Sequence, residues 1–199
     1  MRTAGNLCGL VCALGMTGAG AADLQVRVEN ASGGSLADAI LYAVPLTPAV
    51  RTAPAKATID QINRQFVPRV SVVQTGAAIE FPNSDNIRHA VYSFSPAKTF
   101  NLKLYAEKPA NPVVFDKPGV VVLGCTIHDH MIAWVVVVDT PYFAHTDQSG
   151  AATLSSLPAG DYRLYAWHEP MTDPTAGEVL HVDAAPQASH TVRLDVPAH

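Results

Sequence analysis

The sequence predicts an all-β protein, and three observations lead to that fold class. Hydrophobic residues make up 48% of the 199 residues and charged residues only 15%, which is enough apolar material for a packed core and excludes general disorder. Fifteen prolines and thirteen glycines interrupt the chain, which argues against long helices and coiled coils. Short alternating or apolar runs lie between these breaks, and this pattern is typical of strands in antiparallel sandwiches.

The predicted strands follow one another at short intervals. Leu24–Glu29 alternates apolar and polar residues, and Ala39–Val44 follows after a turn-rich segment. The apolar run Ala133–Val138 is rich in valine and short enough for a buried strand. The other predicted strands are Ala57–Ile62, Val67–Val73, Ala77–Phe81, His89–Phe94, Phe100–Leu104, Pro112–Phe115, Val120–Leu123, Ala151–Leu154, Tyr162–Trp167, Glu178–Val182 and His190–Leu194.

The strands divide into two predicted domains, one inserted in the other. The strands after about Thr140 are too few to close a sandwich, and so are the strands before the proline-containing linker Leu46–Lys56. Joined together, they suffice for one small sandwich. We therefore expect a discontinuous domain of residues 23–56 and 141–199, with a second β-sandwich of residues 57–140 inserted in it.

The first 22 residues have the composition of a secretory signal peptide. Arg2 is the only charged residue among them, an apolar run from Leu7 to Met16 follows, and small residues occupy positions 19–22. A buried N-terminal helix is the alternative, which the many glycines disfavour. We expect cleavage after Ala21 or Ala22 and an exported, periplasmic protein. No other apolar run approaches the ~20 residues of a membrane span, and the net charge of −4 argues against a nucleic-acid partner.

Removal of the signal peptide would leave a single cysteine, Cys125. It could not form an internal disulfide, and a lone thiol in an oxidising compartment is reactive unless it is buried or bound to a metal. Cys125 begins a Cys-x-x-His-x-x-Met pattern with His128 and Met131, on a predicted short loop between two apolar strands, and His89 heads an upstream strand. One thiolate, two imidazoles and a thioether are the donor set of a blue-copper centre. Copper binding by these four residues is the functional interpretation, and a buried, inert cysteine is the structural alternative.

Two other places in the sequence contain possible metal ligands. His130 could be an additional ligand, but we expect a histidine at the surface or behind the ligands, because adjacent positions on a tight loop point apart. The segment Trp167–Met171 contains a histidine, a glutamate and a methionine. There we expect a capping turn with an exposed histidine rather than a second metal site.

The segments around the four candidate ligands resemble a known family. Gly76–Asp85, His89 and Cys125–Met131 look like a cupredoxin of the plastocyanin, azurin and amicyanin type, with gaps between cysteine, histidine and methionine similar to those of amicyanin. Through Val91–Ser95 and Asp139–Phe143 the chain more closely resembles exported, cupredoxin-like methylamine utilization proteins.

This resemblance implies a Greek-key sandwich that binds one type 1 copper ion. The ligands it implies are His89, Cys125, His128 and Met131. His130 departs from the resemblance, because those relatives usually have an aromatic residue there. The segment Asp147–Tyr162 resembles a carboxypeptidase regulatory-like, or transthyretin-like, sandwich, in which the first strands read much like Val26–Val44.

These features favour an exported copper protein that carries single electrons, with a c-type cytochrome or a dehydrogenase as its transient partner. The alternative is a periplasmic copper carrier, chaperone or sensor, in which the metal is exchanged and does not cycle. A copper enzyme is disfavoured, because an enzyme keeps a coordination position open and Met131 fills the fourth position here. A structural protein that has lost its metal is disfavoured because all four donor types are present together.

Overall fold

The computed structural model describes residues 21–47, 52–109, 111–183 and 189–196. These residues form seventeen β-strands and no helix, which confirms the predicted all-β fold class. None of the described residues belongs to a helix that could cross a membrane. The predicted signal peptide lies outside the described residues except for Ala21 and Ala22, which begin the first strand, and residues 48–51 of the predicted linker also lie outside them.

The strands are short, as the frequency of proline and glycine predicts. In chain order they are β1 Ala21–Asn30, β2 Ile40–Pro45, β3 Ala57–Thr58, β4 Asp60–Ile62, β5 Gln65–Val67, β6 Val70–Gln74, β7 Ala77–Glu80, β8 His89–Ser95, β9 Lys98–Tyr105, β10 Val113–Phe115, β11 Gly119–Cys125, β12 His128–Val138, β13 Phe143–His145, β14 Ala151–Pro158, β15 Gly160–Trp167, β16 Thr175–Val182 and β17 His190–Leu194. The sequence does not predict β13, and of β5 it predicts only Val67, which begins the predicted strand Val67–Val73.

The strands between residues 57 and 138 surround one buried core. A five-stranded sheet has the order β6-β12-β11-β8-β9, a three-stranded sheet has the order β10-β7-β3, and β4 and β5 form a separate hairpin. The buried cluster takes Ile79 and Phe115 from the smaller sheet and Val91, Leu123 and Val135 from the larger one. Side chains of this cluster are therefore packed between strands of two sheets, which suits a site that needs fixed geometry.

The N-terminal strands pair with strands near the C-terminus. β1 pairs with β14 and β17, and β2 pairs with β13 and β15, so that the sheet orders are β14-β1-β17 and β13-β2-β15-β16. Leu24, Leu41, Leu154 and Leu164 belong to a buried cluster that these two sheets share. The division of the chain into an inserted and a discontinuous domain, and the transthyretin-like character of the latter, stay predictions.

Three strand pairs differ from the antiparallel arrangement that the sequence predicts. β1 and β17, β3 and β7, and β6 and β12 are parallel. Each parallel pair joins segments that are distant in the chain, where no tight turn imposes an antiparallel direction. The sequence pattern identifies strands but does not specify the direction in which distant strands pair.

Candidate metal centre

The hairpin of β11 and β12 carries two of the predicted ligands. β11 ends at Cys125, β12 begins at His128, and only Thr126 and Ile127 connect them, so the predicted loop is a tight turn. Cys125 pairs across the strands with His128, whereas the preceding Gly124 pairs with Ile132, and residues 129–131 form the bulge between the two registers. The pairing places the thiol beside the imidazole.

His89 joins this pair from the neighbouring strand of the same sheet. It is the first residue of β8, which lies beside β11, and it is completely buried. The Sγ atom of Cys125 lies 3.9 Å from Nδ1 of His89 and 3.9 Å from Nδ1 of His128. Of the residues that the structure describes, these three form the one group of at least three histidine, cysteine or acidic residues whose ligand atoms converge, all within 4.8 Å of one another.

The two sulfur-to-nitrogen separations fit bonds to a single metal ion. Bonds of about 2.3 Å to a thiolate and about 2.0 Å to an imidazole together span at most about 4.3 Å. Both sulfur-to-nitrogen separations of 3.9 Å fall within that reach. A thiolate with imidazoles is a donor set for copper or zinc, and a thioether in addition favours copper.

Met131, the fourth predicted ligand, lies in the same part of the core. Its side chain is 1% exposed and belongs to the buried cluster that contains Cys125. Both residues also line a cavity of about 360 Å³. Within the bulge after His128, Met131 is buried, whereas Asp129 and His130 are exposed.

The three converging residues differ in their access to solvent. Cys125 is 3% exposed and His89 is buried, whereas His128 is partly exposed. Partial desolvation lowers the pKa of His128, and the neighbouring His89, Arg64 and His130 lower it further. A lowered pKa keeps the ring neutral, which is the form that binds a metal.

A carboxylate that the sequence analysis missed holds the buried histidine. Nε2 of His89 hydrogen bonds to Oδ2 of Asp85 at 2.7 Å. Burial alone would raise the pKa of Asp85, but hydrogen bonds from the Arg64 amide, the His89 ring and the Asn63 amide outweigh it and lower that pKa. The only sequence signal is an aspartate four residues before a histidine in a turn-rich segment, which is too common to identify such a contact.

Gly124 was also missed. The distance from the position of a Cβ on Gly124 to Cζ and Oη of Tyr92 would be only 2.7 Å, so the tyrosine ring lies directly against this backbone. Close approach of a ring is one reason for a glycine inside a strand. The contact lies immediately before Cys125 in the chain.

The remaining candidates have the following positions. His130 is exposed, with its ring centroid 5.9 Å from that of His128. The expectation of an exposed histidine in Trp167–Met171 is wrong, because His168 is only 6% exposed. Its Nδ1 donates to the carbonyl oxygen of Glu169 at 2.7 Å, and its backbone amide donates to the sulfur of Met171 at 3.3 Å, so both the ring and the backbone of His168 are held within the turn.

Comparison with known proteins finds similarity only to solved structures. No protein-family model matches the chain, and no curated protein sequence matches it. The copper-containing nitrite reductase of Thermus scotoductus is 22% identical over 49% of this chain, with a TM-score of 0.41, and the match covers 26% of the reductase.

Two smaller copper proteins match over almost their whole length. A variant of amicyanin in its reduced Cu(I) form is 18% identical over 49% of this chain and 99% of its own, with a TM-score of 0.38. The purple cupredoxin of Nitrosopumilus maritimus is 19% identical over 41% of this chain and 99% of its own, with a TM-score of 0.34. At these identities and TM-scores, the choice of metal must rest on the side chains of this chain.

Proposed function

We propose that this chain is an exported protein that binds one copper ion and carries single electrons between redox partners. The ligands in this proposal are Cys125, His89, His128 and Met131. The observation that carries it is the convergence of the cysteine sulfur and two imidazole nitrogens within 4.8 Å, with Cys125 a member of the buried core that two sheets share.

Each residue has a distinct task in this proposal. The thiolate of Cys125 and the thioether of Met131 are soft donors that favour Cu(I), while the two imidazoles suit both oxidation states. A copper ion bound there would supply exchange of one electron between Cu(I) and Cu(II). The strands that hold His89, Cys125 and His128 restrict their movement, and small ligand movement favours rapid electron exchange.

The surface beside the site supports a transient protein partner. Ile127, in the turn between two of the ligands, is 50% exposed, and Phe94 is 76% exposed. Phe94, Val122 and Ile132 line the cavity that also reaches Cys125 and Met131. Apolar side chains around a nearly buried site are suited to brief docking of another protein, such as a c-type cytochrome or a dehydrogenase.

The alternative function is a copper carrier, chaperone or sensor, which must release its metal. Burial of His89 and Cys125 favours retention instead, because two donors are out of reach of a competing ligand. The rate at which copper transfers to a chelator would distinguish the two functions. A carrier, chaperone or sensor should release its copper readily, whereas an electron carrier should exchange its metal far more slowly than its electrons.

Spectroscopy of the copper-loaded protein tests the proposal. We expect an intense absorption near ~600 nm from thiolate-to-Cu(II) charge transfer, together with the EPR signal of a mononuclear Cu(II) site. Cys125→Ser should abolish the absorption while the far-UV circular dichroism of the metal-free protein is unchanged. The matched control is His181→Gln, since His181 is an exposed histidine that contacts Asp161 and lies outside the group of converging donors. Persistence of the band in Cys125→Ser would refute the proposed site.

A further inference from the structure

The carboxylate of Asp85 bridges the buried His89 and the turn of a neighbouring hairpin. Its Oδ2 accepts hydrogen bonds from Nε2 of His89 at 2.7 Å and from the backbone amide of Arg64 at 2.9 Å. Its Oδ1 accepts from the backbone amide of Asn63 at 2.6 Å. The side chain of Asp85 is 12% exposed, so these contacts are largely shielded from water.

The turn has the geometry needed to hold a carboxylate. Asn63 and Arg64 are the two residues between the paired Ile62 and Gln65, and their φ angles of 52° and 58° are both positive. Positive φ at both positions defines a type I′ turn, the common turn of two-residue hairpins. Here the two successive amides donate to the two oxygens of one carboxylate.

The backbone of Asp85 is held independently. Its amide donates to Oδ1 of Asn83 at 3.1 Å, and Nδ2 of Asn83 donates to the carbonyl oxygens of Ile87 and Tyr105 at 2.8 and 3.1 Å. The carboxylate therefore has a fixed position without help from His89. A fixed acceptor can orient a histidine ring, whose hydrogen could otherwise lie on either of its two nitrogens.

We propose that Asp85, held by the Asn63–Arg64 turn, is a positioning residue that sets the tautomer and orientation of His89. With its hydrogen on Nε2 directed at the carboxylate, the ring presents the lone pair of Nδ1 to the space beside Sγ of Cys125, 3.9 Å away. The β4–β5 hairpin, which contains no metal ligand, thereby becomes part of the metal site. The inference rests on the proposed function, because it concerns how His89 binds copper.

The carboxylate also has an electronic consequence. A carboxylate that accepts the outer N–H of a histidine ligand raises the basicity of the other nitrogen, and loss of such a partner typically costs about 10- to 100-fold in metal affinity. A more basic nitrogen stabilises Cu(II) more than Cu(I). If the whole loss falls on Cu(II), the reduction potential rises by about 59 mV for each tenfold change in affinity.

The first experiment uses the full chain without metal. The ¹⁵N chemical shifts of the His89 ring distinguish a hydrogen on Nε2 from one on Nδ1, and we expect the Nε2–H tautomer in the parent protein. Asp85→Ala should yield a mixture of tautomers. Asp85→Asn, which keeps an oxygen acceptor without the charge, should retain the preference at least in part.

The second experiment measures Cu(II) affinity and reduction potential in the same proteins. We expect affinity to fall about 10- to 100-fold and the potential to rise in both Asp85 variants. Asp60→Asn is the matched control: the Asp60 carboxylate accepts from the amide of Gln61 and from the hydroxyl of Ser84 in the same region, but it makes no hydrogen bond to His89. Its affinity and potential should match those of the parent.

The outcomes separate this inference from the proposed function. If the parent protein develops no charge-transfer band with copper, the proposed function fails, while the tautomer of His89 in the metal-free protein still tests the positioning role. If copper binds but Asp85→Ala and Asp85→Asn leave tautomer, affinity and potential at the parent values, the positioning role is overturned. A well-folded Asp60→Asn that reproduces the Asp85 effects would overturn it as well.

Discussion

Gly124→Ala tests the contact that lies immediately before Cys125. A Cβ on residue 124 would stand 2.7 Å from Cζ and Oη of Tyr92 and 3.0 Å from its Cε1. Ordinary contacts of this kind begin near 3.4 Å, so the ring must retreat by several tenths of an ångström. The φ of Gly124 is not in the positive region, so the backbone itself accepts alanine.

The expected free-energy change combines two opposing terms. Overpacking costs about 1–3 kcal/mol, and the lower part of that range applies because Tyr92 is only partly buried and lines a cavity into which it can swing. This swing also disturbs the contact of Tyr92 with Phe94, whose ring centroid is 5.2 Å away. Replacing glycine with alanine also stabilises the protein by about 0.4–1 kcal/mol, because it lowers the conformational entropy of the unfolded chain. We therefore expect a net destabilisation of about 1 kcal/mol.

A double-mutant cycle identifies the cause. With Tyr92→Ala already present there is no ring to displace, so Gly124→Ala should then stabilise the metal-free protein by about 0.4–1 kcal/mol. Urea unfolding of the parent, the two single variants and the double variant, with the same dependence of unfolding free energy on urea concentration, would yield the coupling free energy between residues 92 and 124. If Gly124→Ala has the same effect in both backgrounds within about 0.5 kcal/mol, the ring contact does not explain the glycine, and the reasoning fails.

Two further predictions concern the fourth ligand and the organisation of the chain. Met131→Gln replaces a soft thioether with a harder oxygen that prefers Cu(II), so the reduction potential should fall, whereas His130→Ala should move it less and leave the blue colour. A loss of colour in His130→Ala with an unchanged potential in Met131→Gln would show that His130, and not Met131, binds the metal. Limited proteolysis within Pro48–Lys56 should leave the fragment that carries β1 and β2 bound to the remainder, because these strands pair with β13, β14, β15 and β17. Release of that fragment as a free peptide under native conditions would refute the discontinuous domain.

Much of the strand content could be predicted because strand formation here depends on local pattern. Leu24–Glu29 alternates, and the structure places its apolar side chains inside and its polar ones outside. The run Ala133–Val138 is apolar throughout, and most of it is buried. The short strand β13 was missed because it lacks a period, and it pairs with β2, which is distant in sequence. Of β5 only Val67 was predicted, and this strand pairs with the preceding β4 across a two-residue turn.

The candidate site likewise has residues that the sequence predicts and contacts that only the structure shows. Cys125, His128 and Met131 are close in sequence, and their residue types alone suggested a metal with soft donors. His89 is 36 residues away from Cys125. It was predicted as a ligand because a blue-copper donor set needs a second imidazole, and only the structure shows that it lies beside Cys125. The contacts of Asp85 could not be predicted, because they depend on where the Asn63–Arg64 turn lies in space.

The sequence by itself determined which segments form strands and which side chains have the chemistry to bind a metal, since both follow from residue type and local spacing. The tertiary structure alone decided that β6 runs parallel to β12 and that β8 lies beside β11, which brings the first residue of β8 to the end of the β11–β12 hairpin. It also decided that a separate hairpin holds Asp85 against His89. The physical reason is that pairing of distant strands is settled by burial of the shared core, and a pattern along one segment carries no information about its neighbours in space.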